Sequence, residues 1–404
     1  MNEFEFYEDL LNLPNLKIDS IERLPTKFIF HCKYTDDCST CPNCLEETKK
    51  INQRQVHKFR DLKISDREVL LYIKVPQFHC KKCNRYYFDN PAWVEKGKSY
   101  TKRQGKCLPR YLGGIFEMSK KQAFTEVGTL VDMSHKTVER LFYSMAEKII
   151  DLPKRYANVR KMGIDELSHR KGKKDFVCVL TDLDRGIQLD VLPNRKKATL
   201  LAHFQSLGVD FCNQIEVVSC DIWKTYINVA KECFPNCQVV IDRFHVVKAL
   251  NEVLDTQRKT LRRENKDEDC FKLLKWRLFK RHEKCNEADK KLLNEGFEKS
   301  WLLEELYELR KTFNAMFDVA LNQKALMKSI YSWLQHAKTL NYKPLDKFIK
   351  TLENWKEPIA AFANQGISNA VTEELNNYLR YFKRISFGLP NFHNMRLRIL
   401  VGSQ

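Results

Sequence analysis

Three acidic residues and four cysteines carry the chemistry that this 404-residue sequence offers. Asp165 lies inside the run Met162-Gly-Ile-Asp-Glu166, and Asp221 closes the run Ile215-Glu-Val-Val-Ser-Cys-Asp221. Both runs read as buried strands. An acid at the end of such a strand is costly unless it is paired or holds a cation. Two acids on neighbouring strands therefore point to a site rather than to packing. Carboxylate oxygens are hard ligands that suit Mg²⁺ or Mn²⁺. Two such ions activate an attacking oxygen and stabilise the leaving one in phosphodiester displacement. A third carboxylate is expected from a helix, and Thr372–Arg384 supplies it. Leu375, Tyr378, Leu379 and Phe382 share one face at helical spacing. Glu373, Asn376, Asn377, Arg380 and Arg384 share the other, with Glu374 at the boundary. A first-turn cap would account for one glutamate, but not for amides and cations gathered on its face. Glu373 is taken as the third acid, with Asn376, Asn377, Arg380, Lys383 and Arg384 on the DNA side.

The elements that must position these acids run in the order β-β-β-α-β-α-β. Three strand-like runs come first, followed by a helix over Ala198–Leu207, a strand, a helix over Lys224–Phe234 and a fifth strand. That order is the ribonuclease H-like plan, an antiparallel meander joined to parallel strands by right-handed crossovers. In it, the centre of the first strand lies beside the end of the fourth. Asp242 and His245 follow the fifth strand, where a histidine could orient DNA or assist proton transfer. Trp223 is expected in the core. Residues 256–365 keep 3.6-residue periodicity with few breakers and read as an all-helical insertion. Trp276 and Trp301 within it are expected in the core rather than stacked on a base.

Cys41-Pro-Asn-Cys44 and Cys80-Lys-Lys-Cys83 form two CxxC knuckles, with room for two or three strands between them. The spacing fits a tetrahedral zinc ion. Four thiolates leave no open position, so the zinc is structural. Cys38 is a weaker alternative to Cys41, and lone His57 and His79 read as surface residues. Lys33, Arg54, Lys58, Arg60, Lys81, Lys82 and Arg85 around the knuckles suggest contact with phosphates. Farther on, Ser119–Val131 reads as a helix, Asp132-Met-Ser134 as a break, and Ser134 as the N-cap of a second helix. This is a helix-turn-helix pattern. It would place His135, Lys136, Thr137 and Arg140 at the start of a recognition helix, with charge added by Lys102-Arg-Gln-Gly-Lys106.

The bulk numbers agree with a DNA partner. The net charge is +18, and 43% of residues are hydrophobic, as expected of a globular chain drawn to a polyanion. No run of about 18 apolar residues suggests a membrane span. The N-terminus lacks a signal-peptide core. The fourteen cysteines fit thiols and metal ligands of a reducing compartment. No nucleotide-binding glycine loop is present, which fits a reaction without ATP.

The motifs around these residues resemble the DDE transposases of bacterial insertion sequences, in the ISL-three family. Met162–Glu166, Ser219–Tyr226, Ile241–Lys248 and Ser368–Asn377 all resemble family motifs in family order, as does the ending Phe382–Leu400. Glu374 stands where a glycine is usual, and Ser386-Phe387-Gly388 replaces Ala-Tyr-Gly. The resemblance spans nearly the whole chain. It implies that Asp165, Asp221 and Glu373 are the catalytic triad, supported by His245, and hold two Mg²⁺ or Mn²⁺ ions. It also implies binding of double-stranded DNA, both terminal inverted repeats and target. A homodimer or larger assembly would act on it in the bacterial cytoplasm, at the nucleoid.

The expected fold class is multidomain α+β. Residues 1–24 form an N-terminal segment, 25–98 a zinc ribbon and 99–152 a helix-turn-helix. Residues 153–255 and 366–404 form the two parts of a ribonuclease H-like α/β core, interrupted by helical residues 256–365. The competing expectation is a zinc-ribbon and helix-turn-helix regulator that keeps the core only as scaffold. A structure-specific nuclease is a third. An intact acid triad favours the enzyme.

Overall fold

The computed structural model describes residues 2–88, 106–170, 175–265, 270–365, 369–385 and 391–402. The chain divides into two compact units, Met1–Glu147 and Lys148–Gln404.

The first unit opens with α1 (Glu3–Leu11), capped by Asn2, and continues as β1 (Leu16–Leu24), β2 (Lys27–Tyr34), β3 (Ser39–Thr40), β4 (Glu47–Thr48), β5 (Ile51–Ile64), β6 (Arg67–Cys80), β7 (Arg85–Phe88) and β8 (Lys106–Cys107). The main sheet has the order β1-β2-β6-β5-β8, with β7 also on β6, while β3 and β4 form a separate ladder. Ser65 and Asp66 both take left-handed φ, 46° and 62°. That is the backbone a two-residue hairpin needs to match strand twist, and it lets β5 and β6 pair antiparallel over most of their length. Val69, Leu71, Ile73 and Val75 alternate into a core with Phe28, Phe30 and Phe59, the period-2 signature of a strand with one buried face.

Three helices complete this unit: α2 (Pro109–Lys121), α3 (Phe124–Leu130) and α4 (His135–Ile149). The helix expected over Ser119–Val131 is therefore two helices. Ser119 belongs to the last turn of α2, and Gln122 is extended at φ −123° and ψ 162°. The bend has a tertiary cause. Phe116 of α2 and Phe124 of α3 both pack on Phe142 of α4, at centroid distances of 5.1 and 5.4 Å, which a straight helix could not arrange. The second break falls where expected. Asp132 is left-handed at φ 49°, and the Ser134 hydroxyl accepts the Thr137 N–H at 3.2 Å as an N-cap. Gly128 makes this turn possible, since a Cβ there would lie 2.6 Å from the Met133 carbonyl oxygen.

The second unit begins with α5 (Leu152–Tyr156), β9 (Lys161–Arg170), β10 (Asp175–Asp182), β11 (Ile187–Leu192), α6 (Lys197–Ser206), α7 (Val209–Gln214), β12 (Val217–Cys220), α8 (Lys224–Cys233) and β13 (Gln238–Ile241). Apart from the short α7, this is the order expected from the sequence. The sheet runs β11-β10-β9-β12-β13, antiparallel from β11 to β9 and parallel from β9 to β13. Helices follow: α9 (Arg243–Glu264), α10 (Cys270–Phe279), α11 (Glu287–Glu298), α12 (Trp301–Val319), α13 (Gln323–Thr339), α14 (Lys343–Ala360), α15 (Phe362–Gln365), α16 (Asn369–Ile385) and α17 (Phe392–Gly402). α14 is bent at Trp355, three residues before Pro358, where the ring removes a backbone donor. Among the described residues, no helix is long and apolar enough to cross a membrane.

The two faces of the sheet carry different partners. Ile164, Cys178, Leu180 and Val218 face a core that continues without a break through α6, α8 and the helices α9 to α14. Val177, Val179 and Val191 face Leu379 of α16 with Met395 and Ile399 of α17. The Arg396 guanidinium donates twice to Asp190, at 2.5 and 2.9 Å, and so fixes α17 to β11. Three tryptophans expected in the core are on the surface: Trp223, Trp276 and Trp301 are 39%, 72% and 66% exposed. In α10 the buried line is Phe271, Leu274 and Leu278, and Trp276 lies off it. Trp301 is the first residue after the Ser300 cap, ahead of the buried line of α12.

The two glycines of the helical segment give a paired test. Gly128→Ala forces a backbone clash and should cost about 1–3 kcal/mol. Gly113, inside α2 with nothing within 4 Å of a built Cβ, should gain about 0.4–1 kcal/mol as Gly113→Ala. Urea unfolding of the full chain, followed on the transition of the first unit, measures both.

Candidate active site and zinc cluster

The parallel register of β9 and β12 decides where the two strand acids lie. Gly163 pairs with Ser219, and Ile164 with Cys220. One step on, Asp165 and Asp221 come side by side. Alternation puts them on one face: Ile164 and Cys220 point to the large core, so their next neighbours point the other way, toward α16. The Asp165 carboxylate accepts the Glu166 N–H at 2.6 Å.

His245 stands one turn into α9, which Asp242 caps by accepting the Phe244 N–H at 2.9 Å. Its Nδ1 lies 2.6 Å from an Asp221 oxygen and 3.6 Å from an Asp242 oxygen. Burial works against the charged ring. The carboxylates of Asp221 and then Asp242 outweigh it and push His245 up to about 10. Burial, with the nearby Asp165 charge, pushes Asp221 up against the pull of His245. Both shifts have one meaning: the Asp221–His245 pair keeps its proton more firmly than either group alone.

A cleft of about 490 Å³ opens here, lined by Asp165, Glu166, Asp221, Asp242, Phe244, His245 and Lys248 with Asn377 and Arg380 of α16. The helix chosen for the third acid thus does face the two strand acids. Arg380 donates to the Asn377 side chain at 2.9 Å. Glu373 precedes Asn377 by one helical turn in α16. The side chains of Glu373 and Asn376 lie outside the described residues, as do residues 386–388 and 102–105. Lys383 donates to the Ser168 carbonyl of β9, and Arg384 is exposed. Sequence reasoning missed Lys248 and Glu166. Lys248 falls three residues after His245, so helical spacing alone put it on the cleft side.

In the first unit, Cys41 and Cys44 sit in the turn between β3 and β4, while Cys80 ends β6 and Cys83 lies in the next turn. Their four sulfurs all lie within 4.8 Å of one another, with Cys41–Cys83 at 3.4 Å and Cys44–Cys80 at 3.5 Å. A tetrahedron with Zn–S bonds of about 2.3 Å has edges of about 3.8 Å, so the sulfur set fits the ion closely. Hydrogen bonding from the Cys83 backbone, ahead of lesser contacts, pulls the Cys80 thiol down to about 6, ready to bind as thiolate. Cys38 is exposed, and His79 is engaged with Asn84 at 2.9 Å and stacked on Tyr86. Of the cations around the knuckles, Arg54, Arg60 and Lys82 already pair with Asp37, Asp132 and Glu46. On α4, His135, Lys136 and Arg140 are exposed, while the Thr137 hydroxyl meets that of Ser134 at 2.9 Å.

Comparison with known proteins places this arrangement in a family. Residues 162–399, more than half of the chain, match the ISL3 DDE family model, described as a transposase. Residues 38–83 match the model described as the zinc-finger of transposase IS204/IS1001/IS1096/IS1165. The chain belongs to the ISL3 family of DDE transposases, and its activity is that of a transposase. It is 22% identical over 375 residues to the transposase for insertion sequence element IS1001 of Bordetella parapertussis, covering 91% of this chain and 90% of that one. It is 26% identical over 293 residues to the transposase for insertion sequence element IS1557 of Mycobacterium tuberculosis, covering 65% and 64%.

The sulfur geometry sets a test by metal removal. The purified chain should carry about one zinc ion, as four thiolates close a single tetrahedron. Cys80→Ser should lose it and with it the cooperative unfolding of the first unit. Elemental analysis and thermal melting check both, and a wild-type chain without zinc would contradict the assignment.

Proposed function

We propose that this transposase cuts and joins DNA at the ends of an insertion sequence through Asp165, Asp221 and Glu373. The observation that supports it most is the shared cleft: two strand acids brought level by the β9–β12 register, faced by Asn377 and Arg380 of the helix that carries Glu373. The sheet order and crossovers agree with a ribonuclease H-like core.

The donor set fits a divalent cation. The carboxylates are hard ligands, and Asp221 already feels the charge of Asp165, so a cation between them relieves repulsion. Bound Mg²⁺ or Mn²⁺, as two ions, would supply an activated oxygen nucleophile and charge stabilisation for the leaving oxygen. The chain's own residues do the rest. Asp165, Asp221 and Glu373 hold the ions. His245 keeps a proton beside Asp221 and sets that carboxylate's orientation. Lys248 and Arg380, across the cleft, bind DNA phosphates on either side of the scissile one. Catalysis is then mainly positioning of the phosphodiester against an attacking water, and later against the freed 3′-hydroxyl at target DNA.

Recognition falls to the first unit. The zinc ribbon contacts phosphates, and α3–turn–α4 acts as a helix-turn-helix that presents His135, Lys136, Thr137 and Arg140 to the major groove of the terminal inverted repeats. Two ends must be held together, so a dimer or larger assembly forms on DNA, in the bacterial cytoplasm and at the nucleoid.

Strand cleavage and joining on labelled element-end DNA tests this reading. The wild-type chain should cut with Mg²⁺ or Mn²⁺. Asp221→Asn and Glu373→Gln should each lower the rate by about a thousandfold or more, equivalent to about 4 kcal/mol of lost transition-state stabilisation, while DNA binding is kept. Cleavage that survives either substitution would overturn the assignment.

A further inference from the structure

Arg195 lies outside every motif singled out in the sequence, in the loop between β11 and α6. Its guanidinium is held between two aromatic rings, 4.0 Å from the centroid of Trp223 and 4.4 Å from that of Phe176. The same group forms an ion pair with Glu166. One side chain therefore ties together four segments: β9 through Glu166, β10 through Phe176, the loop after β11, and the turn after β12 through Trp223.

Two of those segments carry the strand acids. Glu166 follows Asp165, and its backbone N–H is the donor to the Asp165 carboxylate at 2.6 Å. Trp223 follows Asp221 by two residues, and its N–H donates to the Asp221 carbonyl at 2.6 Å. Movement of Glu166 changes the donor that orients Asp165. Movement of Trp223 changes the turn that holds Asp221. The stack also explains why Trp223 is on the surface: its ring is a wall for the guanidinium, and both are needed at the rim of the cleft.

The chemistry of the side chain suits this task. A planar, permanently charged guanidinium stacks on aromatic faces and grips a carboxylate with its edge at once, which an ammonium does not. A partner one step removed from the ligand commonly changes metal affinity by about 10–100-fold.

We propose that Arg195 is a positioning residue that sets the spacing of Asp165 and Asp221 through Glu166 and Trp223, and thereby the affinity of the site for its divalent ion. This rests on the reading of Asp165 and Asp221 as metal-holding acids.

The test uses the full zinc-loaded chain and Mn²⁺ alone as probe, with bound Mn²⁺ read by loss of the free-ion electron paramagnetic resonance signal. Arg195→Met should weaken Mn²⁺ binding about tenfold or more, with a melting temperature close to wild type. Arg195→Lys, which keeps the charge but not the stacked plane, should fall between them. In cleavage assays, the Mn²⁺ concentration for half-maximal rate should rise likewise, while the rate at saturating Mn²⁺ should change far less. Unchanged Mn²⁺ binding by folded Arg195→Met overturns the proposal. If Arg195→Met does not fold, Glu166→Gln decides: it removes the ion pair at constant volume, and binding equal to wild type overturns the proposal in the same way. Asp165→Asn separates the underlying reading. If it binds Mn²⁺ as wild type does, Asp165 holds no ion, and the reading of the acids fails rather than the role of Arg195.

Discussion

Everything at the cleft depends on one parallel pairing, β12 against β9. Shifted by one residue, it would send Asp221 to the opposite face of the sheet from Asp165. In the register that forms, two carboxylates are held side by side and partly out of water, an arrangement that both burial and like charge oppose. The surrounding fold answers that cost locally. His245 stands between Asp221 and Asp242, and Asp165 takes the Glu166 N–H. The remaining repulsion is the property a divalent cation uses.

The pairing is rigid because both faces of the sheet are covered. On one side a single apolar core runs from Met162 and Ile164 through α8 and out to Phe348 and Leu352 of α14. The long helical segment is therefore part of the packing that holds the strands. On the other side Leu379 anchors α16 against Val177 and Val179. That contact turns Asn377 and Arg380 into the cleft, since an amphipathic helix that buries one stripe must present the other. α17, clamped by Arg396 to Asp190, closes the same layer.

Much of this was legible because the relevant signals are local and expensive to fake. Asp165 and Asp221 stood out as acids in apolar runs, and the CxxC pairs by spacing. The strand and helix order was legible from periodicity, as was the Ser134 cap from residue type. The failures share a cause in tertiary context. Ser119–Val131 has the pattern of one helix, but two phenylalanines converge on Phe142 and force a bend at Gln122. Trp276 and Trp301 were assigned by residue type, although their positions lie off the buried line of their helices. Arg195 was invisible because its role exists only once strands distant in sequence bring Phe176, Glu166 and Trp223 around it. No property of the loop Pro193-Asn-Arg-Lys marks it.

The central claim is that Asp165, Asp221 and the helix bearing Glu373 surround one divalent-ion site. Iron-directed backbone cleavage tests it most directly, because hydroxyl radicals made at Fe²⁺ substituted for Mg²⁺ cut the chain nearest to the bound ion. The account predicts cuts clustered around Asp165, Asp221 and Glu373–Asn377, suppressed by excess Mg²⁺ and absent in Asp221→Asn. Cuts that spare any of these three segments, or that persist unchanged in Asp221→Asn, would contradict it.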